Sequence, residues 1–425
     1  MSRVQRQKWI KMFKKSLFLS LFSFFSLALA GHAFAGLTVH IALPDNATAQ
    51  QQLAAGSKIV ASARDSKVSR IEVGPGVYLF KEGIKVSDRQ LEIAGTLTDA
   101  GPATIFQFAT PKSGYEKSGE KVFTLKQPRE LIALFEADSN AVNQSWKSLK
   151  RVENVEQVAA TPGTYHSSND TITLRPFTNA DPSTNIMIPD AHMGILAAYG
   201  HVIASNIHIR GARNTGVYGF AGIIQLTDCL LSENGWNGLD TTRQSSINCT
   251  RVAGVNNGND AFGVHRLGIG SFSNCYAAHN GDDGFSPHEE GIMRLTECVS
   301  EHNADRGVVA VHGSLLTLTR CQLYHNGGQN VSLEGGAQGI LQHVIADTSG
   351  TTEKSQPNMR VLNDSHLLIN QVLDRKNVPV EPILYGTGKC DHVPADTAHF
   401  EPATLAYDKL LPQWFLSSTF LDIQP

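Results

Sequence analysis

The sequence predicts an all-β fold, a right-handed parallel β-helix, because one pattern repeats every 23 residues between about residues 200 and 349. An asparagine column marks the repeat, and its members are Asn234, Asn257, Asn280, Asn303 and Asn326. A cysteine or valine stands five positions before each asparagine, and an apolar residue stands five positions after it. Units of this length leave no room for a crossover helix, so successive units must coil and stack as a solenoid. Parallel crossovers are right-handed in nearly all cases, which gives the hand.

The asparagine and cysteine columns have different physical explanations. An asparagine amide inside a turn donates and accepts along the coil axis, so it satisfies turn backbone groups that water cannot reach. We interpret the cysteine column as small hydrophobic side chains stacked in the core, and its members are Cys229, Cys275, Cys298 and Cys321. Disulfides between neighbouring rungs are the alternative, since strand spacing permits the distance although stacked Cβ vectors rarely suit the dihedral angle.

Residues 1–35 are typical of a secretory signal peptide. Basic residues precede an apolar run over residues 17–30, and Ala33 and Ala35 flank Phe34 in the pattern that signal peptidase cleaves. An uncleaved membrane anchor is the alternative interpretation of this segment. No other stretch approaches the ~20 apolar residues of a spanning helix. The mature chain is therefore expected to be periplasmic or secreted, without a membrane span.

The rest of the chain divides into four predicted parts. Residues 36–130 form the entry to the β-helix and its N-terminal cap, and residues 131–199 form an excursion from the coil. Residues 200–350 contain the regular rungs, and residues 351–425 form a C-terminal capping tail, because open solenoid ends must be covered. The net charge of −3 gives no basic surface for a polyanion, so nucleic acid is not an expected partner.

Polar and charged residues concentrate on two neighbouring rungs, those that begin at Asn257 and Asn280. Equivalent positions on adjacent rungs lie about 5 Å apart, so these side chains are expected to cluster. The candidate residues are Asp260, Asp282, Asp283, His265, His288, Arg266 and Arg306.

The three aspartates form the predicted metal site. Stacked aspartates repel each other unless a cation, an arginine or a shared proton intervenes. Ca²⁺ is the expected cofactor, with oxygen ligands from Asp260, Asp282 and Asp283. The alternative is that aspartate after Asn-Gly simply favours turn geometry.

The two histidines are the predicted catalytic pair. We expect His288 to act as a base and His265 as an acid or orienting partner. Either Ca²⁺ on the aspartates, or Arg266 and Arg306, would neutralise a substrate carboxylate. The alternative is that both are structural histidines at the rim. A second column, His279, His302 and His325, is interpreted as surface stacking because it continues through rungs without other polar clusters.

Two further residues are predicted to bind substrate. Trp236 is either a platform for stacking a sugar or a residue that packs the turn. Glu289, directly after His288, completes the predicted set.

The segment DGFSPHE at residues 283–289 resembles a motif of the alginate C5-epimerases, which are right-handed parallel β-helices. The resemblance covers this short motif and the coil in general, and it implies that His288 corresponds to the family's catalytic histidine. Asp283 stands where that family has tyrosine, and Ser286 stands where it has a catalytic aspartate.

Two other partial resemblances bear on the reaction. The segment DDGF at residues 282–285 is similar to a turn in β-helical pectate lyases, and this implies Ca²⁺ nearby. Those lyases use lysine or arginine as the base, but no lysine occurs between Arg151 and Thr352, so an arginine or histidine would serve. Residues 257–260 and 281–283 resemble polygalacturonase motifs, although the Gly-His-Gly and Arg-x-Lys elements of those hydrolases are absent.

The sequence thus predicts an exported enzyme that removes the C5 proton of a uronate unit in an acidic polysaccharide, as a lyase or a C5-epimerase. A long groove along a solenoid suits an extended polymer. A non-catalytic glycan-binding or structural β-helix is the first alternative, and a glycoside hydrolase is the second.

Overall fold

The computed structural model describes residues 36–127, 130–137, 146–168, 170–178, 181–347, 358–374, 378–392, 411 and 414. The predicted signal peptide lies outside these residues. The unit described below begins at Thr38. Among the described helices, none has the length and apolar character needed to span a membrane.

Three columns of parallel strands form the coil, which confirms the predicted parallel β-helix. We call these columns face 1, face 2 and face 3, in the order in which the chain passes through them. The strands of face 1 are Val68–Val73, Gln90–Ala94, His201–Ser205, Ile223–Thr227, Ser246–Thr250, Ile269–Ser273, Ile292–Thr296, Leu315–Thr319, Gln338–Ala346, His366–Leu373 and Lys389–His392. The strands of face 2 are Gly76–Leu79, Thr104–Gln107, Ile207–Arg210, Leu230–Ser232, Ala253–Val255, Tyr276–Ala278, Val299–Glu301 and Gln322–Tyr324. The strands of face 3 are Ile84–Ser87, Ile195–Ala198, Val217–Phe220, Leu239–Thr242, Phe262–Val264, Phe285–Pro287, Val308–Val311, Val331–Glu334, Met359–Leu362 and Ile383–Tyr385.

The asparagine column lies inside the turn between face 2 and face 3, as predicted. Asn257 donates from its backbone N to Asn280 Oδ1 at 3.1 Å and from Nδ2 to the same oxygen at 3.0 Å. Asn280 repeats this pattern towards Asn303, and Asn303 towards Asn326. The amides therefore satisfy buried turn groups along the coil axis, which is the reason for their regular spacing.

The cysteine column lies in the core, and the interpretation as small hydrophobic residues is confirmed. All six cysteines are among the described residues, and all are free thiols. Cys229, Cys275, Cys298 and Cys321 are buried, and each Sγ lies within hydrogen-bonding distance of backbone carbonyls. The disulfide alternative is therefore not found here.

Each face 3 strand ends in a left-handed residue, and we call this set the corner column. Its members are Tyr199, Ala221, Arg243, Arg266, Glu289 and His312, with φ between 49° and 58°. The turn gives each of these residues the same position on successive rungs. The corner column therefore runs parallel to the coil axis along one edge of face 3.

A helix and a strand precede the first rung. The strand is Leu37–Ile41 and the helix is Ala49–Arg64. Thr48 and Gln51 form a capping box at the start of this helix, while Ile59, Val60 and Ala63 are buried in the core of the coil. The helix thus covers apolar side chains of the first rungs, in the part of the chain for which we expected an N-terminal cap.

The excursion is built from antiparallel strands. They are Ala109–Pro111, Glu116–Gly119, Val122–Lys126, Phe135–Glu136, Lys147–Ser148, Lys150–Arg151, Thr164–Ser167, Thr171–Arg175 and Ile186–Pro189. One pairing in this region is parallel, that of Lys150–Arg151 with Thr164–Ser167. Two short helices, Val155–Ala160 and Pro182–Asn185, and a hairpin of Leu97–Thr98 with Gly101–Pro102 complete the elements. Strand Ile195–Ala198 pairs with Ile84–Ser87, so the coil resumes at 195 and not at 200.

The coil also continues beyond residue 350, where we expected only a capping tail. Met359–Leu362 pairs with Val331–Glu334 on face 3, and Ile383–Tyr385 pairs with Met359–Leu362. Asn330 and Asn358 are 28 residues apart but hydrogen bond to each other, so five extra residues interrupt the repeat at this point. Of the later residues, Leu411 and Trp414 pack in a cluster with outer side chains of face 2.

Candidate functional site

Outward side chains of face 3 form two polar columns beside the corner column. The strand-end column contains Phe220, Thr242, His265, His288, Val311 and Glu334. The mid-strand column contains Tyr218, Asp240, Gly263, Ser286, Val309 and Ser332. Side chains alternate along a strand, so both columns face away from the core.

A pocket of about 230 Å³ opens on this face. It is lined by Tyr218, Thr242, His265, Arg266, His288 and Glu289. Four of these residues were predicted from the sequence to be catalytic or to bind substrate. Tyr218 and Thr242 were not predicted to belong to the site, because they lie on earlier rungs that carry few charges.

Asp240 is a further residue that the sequence interpretation did not include. Its Oδ1 lies 3.4 Å from His265 Nδ1, and the same oxygen accepts a 2.6 Å hydrogen bond from the Thr241 backbone. Burial raises the pKa of the Asp240 carboxyl, although the charge of His265 opposes this shift. The contact joins different positions on adjacent rungs, so a comparison of equivalent positions could not reveal it.

Two polar atoms at this pocket are buried without a hydrogen-bond partner among the described residues. They are His265 Nε2 and Thr242 Oγ1. Unpaired buried polar groups are costly and rare in native structures, and they accumulate at functional sites. Both atoms therefore indicate a site for a polar ligand.

His288 packs directly on His265. The two ring centroids are 4.9 Å apart and the rings meet edge to face. Burial, followed by the charges of His265 and His312, lowers the pKa of His288 to about 4. The imidazole of His288 is therefore neutral at neutral pH and has a free lone pair to accept a proton.

Gly263 leaves a gap between Asp240 and Ser286 in the mid-strand column. A Cβ at this position would lie 2.9 Å from Asp240 Oδ1. Because Gly263 has no side chain, the carboxylate of Asp240 can contact the His265 imidazole on the next rung. Any larger residue would displace the carboxylate from its contact with the histidine.

Arg266 and Glu289 form an ion pair at the rim of the pocket. Arg266 Nε donates to Glu289 Oε2 at 2.8 Å, and the two side chains are 62% and 49% exposed. Exposed ion pairs contribute little stability, about 0–1 kcal/mol, and they exchange partners readily. A carboxylate of a ligand can thus replace Glu289 on the guanidinium of Arg266.

The predicted metal ligands come together as expected. Asp260, Asp282 and Asp283 each offer an oxygen, and these oxygens lie within 4.8 Å of one another. Asp260 Oδ1 accepts from the Asp283 backbone at 3.1 Å, and Asp260 Oδ2 accepts from Ser286 Oγ at 2.5 Å. Asp283 Oδ1 accepts from the Arg306 backbone at 2.8 Å. The aspartates therefore also support the turn, as the alternative interpretation proposed.

The pKa values of all three aspartates in the acidic cluster are raised. Burial, with the charges of neighbouring aspartates, raises the pKa of Asp260 to about 7 and that of Asp283 to about 8. Burial and the charge of Asp305 also raise the pKa of Asp282. Close carboxylates in a poorly solvated site share protons unless a cation replaces them.

Arg306 belongs to the acidic cluster and not to the histidine pocket. Its guanidinium lies 2.8 Å from Asp305, 3.4 Å from Glu334 and 3.8 Å from Asp283. Arg306 is not among the residues that line the pocket. The acidic cluster nevertheless adjoins the pocket, because Ser286 Oγ donates to Asp260 Oδ2 and Ser286 lies two residues before His288 on face 3.

The other candidates lie outside the pocket. Trp236 is 45% exposed, at the turn position that Asp282 occupies two rungs later. The rings of His279 and His302 stack at 5.2 Å, and those of His302 and His325 stack at 5.3 Å. These three histidines occupy left-handed turn positions, and their parallel rings agree with surface stacking.

Comparisons with known proteins agree with the fold. The model for a right-handed β-helix region matches residues 194–344. The complex structure of XylC with xylose is similar to this chain at 10% identity and a TM-score of 0.56, over 80% of this chain and 70% of that one. No curated protein matches by sequence.

Two further solved structures are similar at 12% identity. Pectate lyase Pel9A matches with a TM-score of 0.43, over 86% of this chain and 83% of that one. The A-module of the Azotobacter vinelandii mannuronan C-5 epimerase AlgE4 matches with a TM-score of 0.42, over 84% of this chain and 93% of that one. The family-model match, the likeness to XylC and the strand pairing together show a right-handed parallel β-helix.

Proposed function

We propose that this protein acts on an acidic polysaccharide and removes the C5 proton of a uronate unit in the face 3 pocket. One observation carries the proposal: Asp240 contacts His265, His265 packs on His288, and both histidines line the pocket. The carboxylate orients the imidazole of His265, against which His288 is packed.

His288 is the proposed base, because it lines the pocket and is neutral at neutral pH. Its low pKa makes it a weak base before substrate binds. A uronate carboxylate in the pocket adds a negative charge that raises the pKa of His288 and favours proton transfer. His265 is the positioning residue, since Asp240 lies 3.4 Å from its Nδ1 and favours the tautomer with the proton there.

Arg266 is the proposed partner of the substrate carboxylate. Removal of the C5 proton develops negative charge that spreads into this carboxylate, so a cation beside it stabilises the transition state. The guanidinium of Arg266 lies at the pocket rim and is held only by its exposed pair with Glu289. Glu289 then serves as the counter-ion that Arg266 exchanges for substrate.

Tyr218 is the proposed proton donor on the other side of the pocket. Burial, together with the charge of Asp240, raises the pKa of its hydroxyl, so this group stays protonated. If the oxygen at C4 departs, donation to it completes a β-elimination. If the proton returns to C5 from the opposite side, the product is the epimer.

The acidic cluster is the proposed Ca²⁺ site. Three convergent carboxylate oxygens are the ligand type that Ca²⁺ prefers. Burial raises the pKa values of Asp260 and Asp283, and a bound cation would favour their ionised forms. Because the cluster adjoins the pocket through Ser286, the ion would hold a sugar unit next to the reacting one.

Proton NMR of uronate polymers incubated with the protein in heavy water tests this function. Polymannuronate, polyguluronate and polygalacturonate form the panel, each with and without Ca²⁺, and a neutral glucan is the control. Unsaturated new ends would show a lyase, and deuterium at C5 of an uncut chain would show an epimerase. Unchanged polymers in every condition would contradict the proposal and favour a binding or structural β-helix.

A glycoside hydrolase is the second candidate, favoured by the acidic cluster alone. Hydrolases of this kind need one protonated and one ionised carboxyl group beside the scissile bond. Asp283, with its pKa raised to about 8, supplies the protonated carboxyl group at neutral pH, and Asp260, with its pKa raised to about 7, supplies the partly ionised one. Saturated new reducing ends in the same NMR experiment would support this candidate.

The proposed substrate lies outside the cytoplasm, because residues 1–35 are typical of a signal peptide. Detection of the protein in the periplasm or medium, with a new N-terminus near residue 36, would support export.

A further inference from the structure

An aromatic pair, the exposed Tyr199 and the half-buried Phe220, borders the pocket on its N-terminal side. Phe220 ends the strand that carries Tyr218, and it pairs with Thr242 of the next strand. Tyr199 lies one rung earlier in the corner column, and its ring centroid is 5.5 Å from that of Phe220. The Tyr199 side chain is 59% exposed even though its backbone is left-handed, an unusual conformation for a bulky residue.

Two arginines of the corner column continue this surface towards the pocket. Arg243 places its guanidinium carbon 4.6 Å from the centre of the Phe220 ring. Arg266 occupies the same position one rung later. No ion pair of Arg243 is found among the described residues. Its charge therefore remains available to a ligand.

We propose that Tyr199, Phe220 and Arg243 form a binding site for an acidic polysaccharide chain that extends along the coil axis from the histidine pocket. Aromatic rings bind the apolar faces of sugars, and a guanidinium binds carboxylate groups. The arginines repeat at the rung spacing of about 5 Å, which is close to the rise of one unit in an extended sugar chain. This inference rests on the proposed function in one respect, namely that the ligand is an acidic polysaccharide.

The charges on either side of the pocket give the bound chain a direction. On the N-terminal side lie Arg243 and Arg266. On the C-terminal side lie the exposed carboxylates of Glu289 and Glu290, whereas Glu334 is paired with Arg306 and Arg360. A polyanion is attracted to the first group and repelled by Glu289 and Glu290. The units beyond the reacting sugar are therefore expected on the rungs of Phe220 and Tyr199, about 14 to 19 Å from His288.

Affinity electrophoresis in native gels that contain polymannuronate or polygalacturonate tests this site. The full chain is expected to be retarded by these polymers and not by a neutral glucan. The double variant Tyr199→Ala/Phe220→Ala is expected to bind at least roughly tenfold more weakly, because it removes both aromatic surfaces on which the apolar faces of the sugars would pack. Arg243→Gln tests the same site without removing an apolar contact, and it should lower both the affinity and its salt dependence.

Tyr385→Ala is the matched control. Tyr385 is also an exposed tyrosine on the outer side of face 3, but its strand lies four strands beyond that of His288. Its removal should leave retardation unchanged. Circular dichroism and thermal melting of each variant show whether the coil is intact.

The outcomes separate this site from the proposed reaction. The unmodified protein could bind the polymers without modifying any of them, and both site variants could lose this binding. That result would support the binding site and contradict the proposed reaction. Turnover with an unchanged KM in the double variant would contradict the binding site alone. Absence of retardation of the unmodified protein, or equal retardation of all variants, would also overturn the inference.

Discussion

At the scale of single residues, the site depends on contacts between unlike positions of neighbouring rungs. Asp240 approaches His265, and His265 packs against His288, although only the two histidines are equivalent in the repeat. The sequence allowed both histidines, Arg266 and Glu289 to be predicted, because each follows the same strand on consecutive rungs. Asp240 was missed because its own rung has no histidine and its partner lies one rung later.

The role of Asp240 can be separated from that of a structural carboxylate. Asp240→Asn keeps an oxygen for the Thr241 backbone but removes the negative charge that favours a proton on His265 Nδ1. We expect kcat to fall by roughly 10²–10⁴-fold with little change in KM. The acidic limb of the pH–rate profile should also move, which a purely structural role would not cause.

His279→Gln is the control for Asp240→Asn. His279 is a partly buried histidine of the surface stack, with a pKa lowered mainly by burial, but it lies on another edge of the coil. Its replacement should leave kcat and the pH profile unchanged. An equal loss of activity in both variants would show that the effect is not specific to the pocket.

The acidic cluster makes stability depend on pH. The pKa values of Asp260 and Asp283 are raised in the folded state, so the folded chain keeps protons that the unfolded chain releases between about pH 4 and pH 8. Stability must therefore fall as pH rises through this window. We expect a lower melting temperature at pH 8.5 than at pH 5.5, measured by scanning calorimetry.

Asp283→Asn should reduce this difference, because the amide oxygen still accepts from the Arg306 backbone and no charge is buried. Ca²⁺ should raise the melting temperature of the unmodified protein at pH 8.5 and have less effect at pH 5.5. Asp364→Asn, which changes an exposed carboxylate, is the control. A melting temperature that rises from pH 5.5 to pH 8.5 would contradict the account of the cluster.

At the scale of elements, the repeat made it possible to predict the strands that recur at a constant spacing. Strands that depart from this spacing could not be predicted. The rungs between residues 200 and 349 were predicted because each turn has the same asparagine. The rungs after residue 358 were missed because five extra residues shift their position. The helix Ala49–Arg64 was also missed, although its capping box is visible as Thr48 and Gln51.

The asparagine column should be the most sensitive structural element. Asn280→Ala leaves the buried backbone N–H of Asn257 and the carbonyl of Gly254 without their partner. Each unsatisfied buried group costs about 1–3 kcal/mol, so we expect a loss of at least about 2 kcal/mol in unfolding free energy. Urea denaturation followed by circular dichroism measures it.

Asn259→Ala provides the comparison for Asn280→Ala. Asn259 is only partly buried, and its side chain donates to Asn237 Oδ1 at 2.9 Å. Its loss should destabilise the protein by no more than about 1 kcal/mol. Similar losses for the two variants would mean that the asparagine column has no special structural role.

At the scale of the whole molecule, the coil provides a straight surface on which sites lie at intervals of one strand. The histidine pocket, the acidic cluster and the aromatic pair occupy different parts of face 3 and its edges. From the sequence, the pocket and the cluster formed one group, and in the structure they adjoin through Ser286, which donates to Asp260 and lies two residues before His288. Stacked columns give the distance between rungs, but they could not show which of these side chains line the pocket.

The position of the excursion could be predicted from the sequence, because the repeat is lost there. The structure of the excursion could not be predicted. Antiparallel pairing between segments such as Ala109–Pro111 and Ile186–Pro189 joins residues far apart in sequence. No periodic pattern marks such pairs. Its effect on the site is therefore visible only in the structure, where the coil resumes at Ile195 with an unbroken face 3.

The rate of deuterium incorporation or chain cleavage by His288→Gln, followed by proton NMR on a uronate polymer in heavy water, tests the central claim most directly. We predict that the unmodified protein exchanges or eliminates at C5 and that His288→Gln is at least roughly 10²-fold slower while it keeps its fold and its affinity for the polymer. An undiminished rate in His288→Gln would remove this histidine from the reaction.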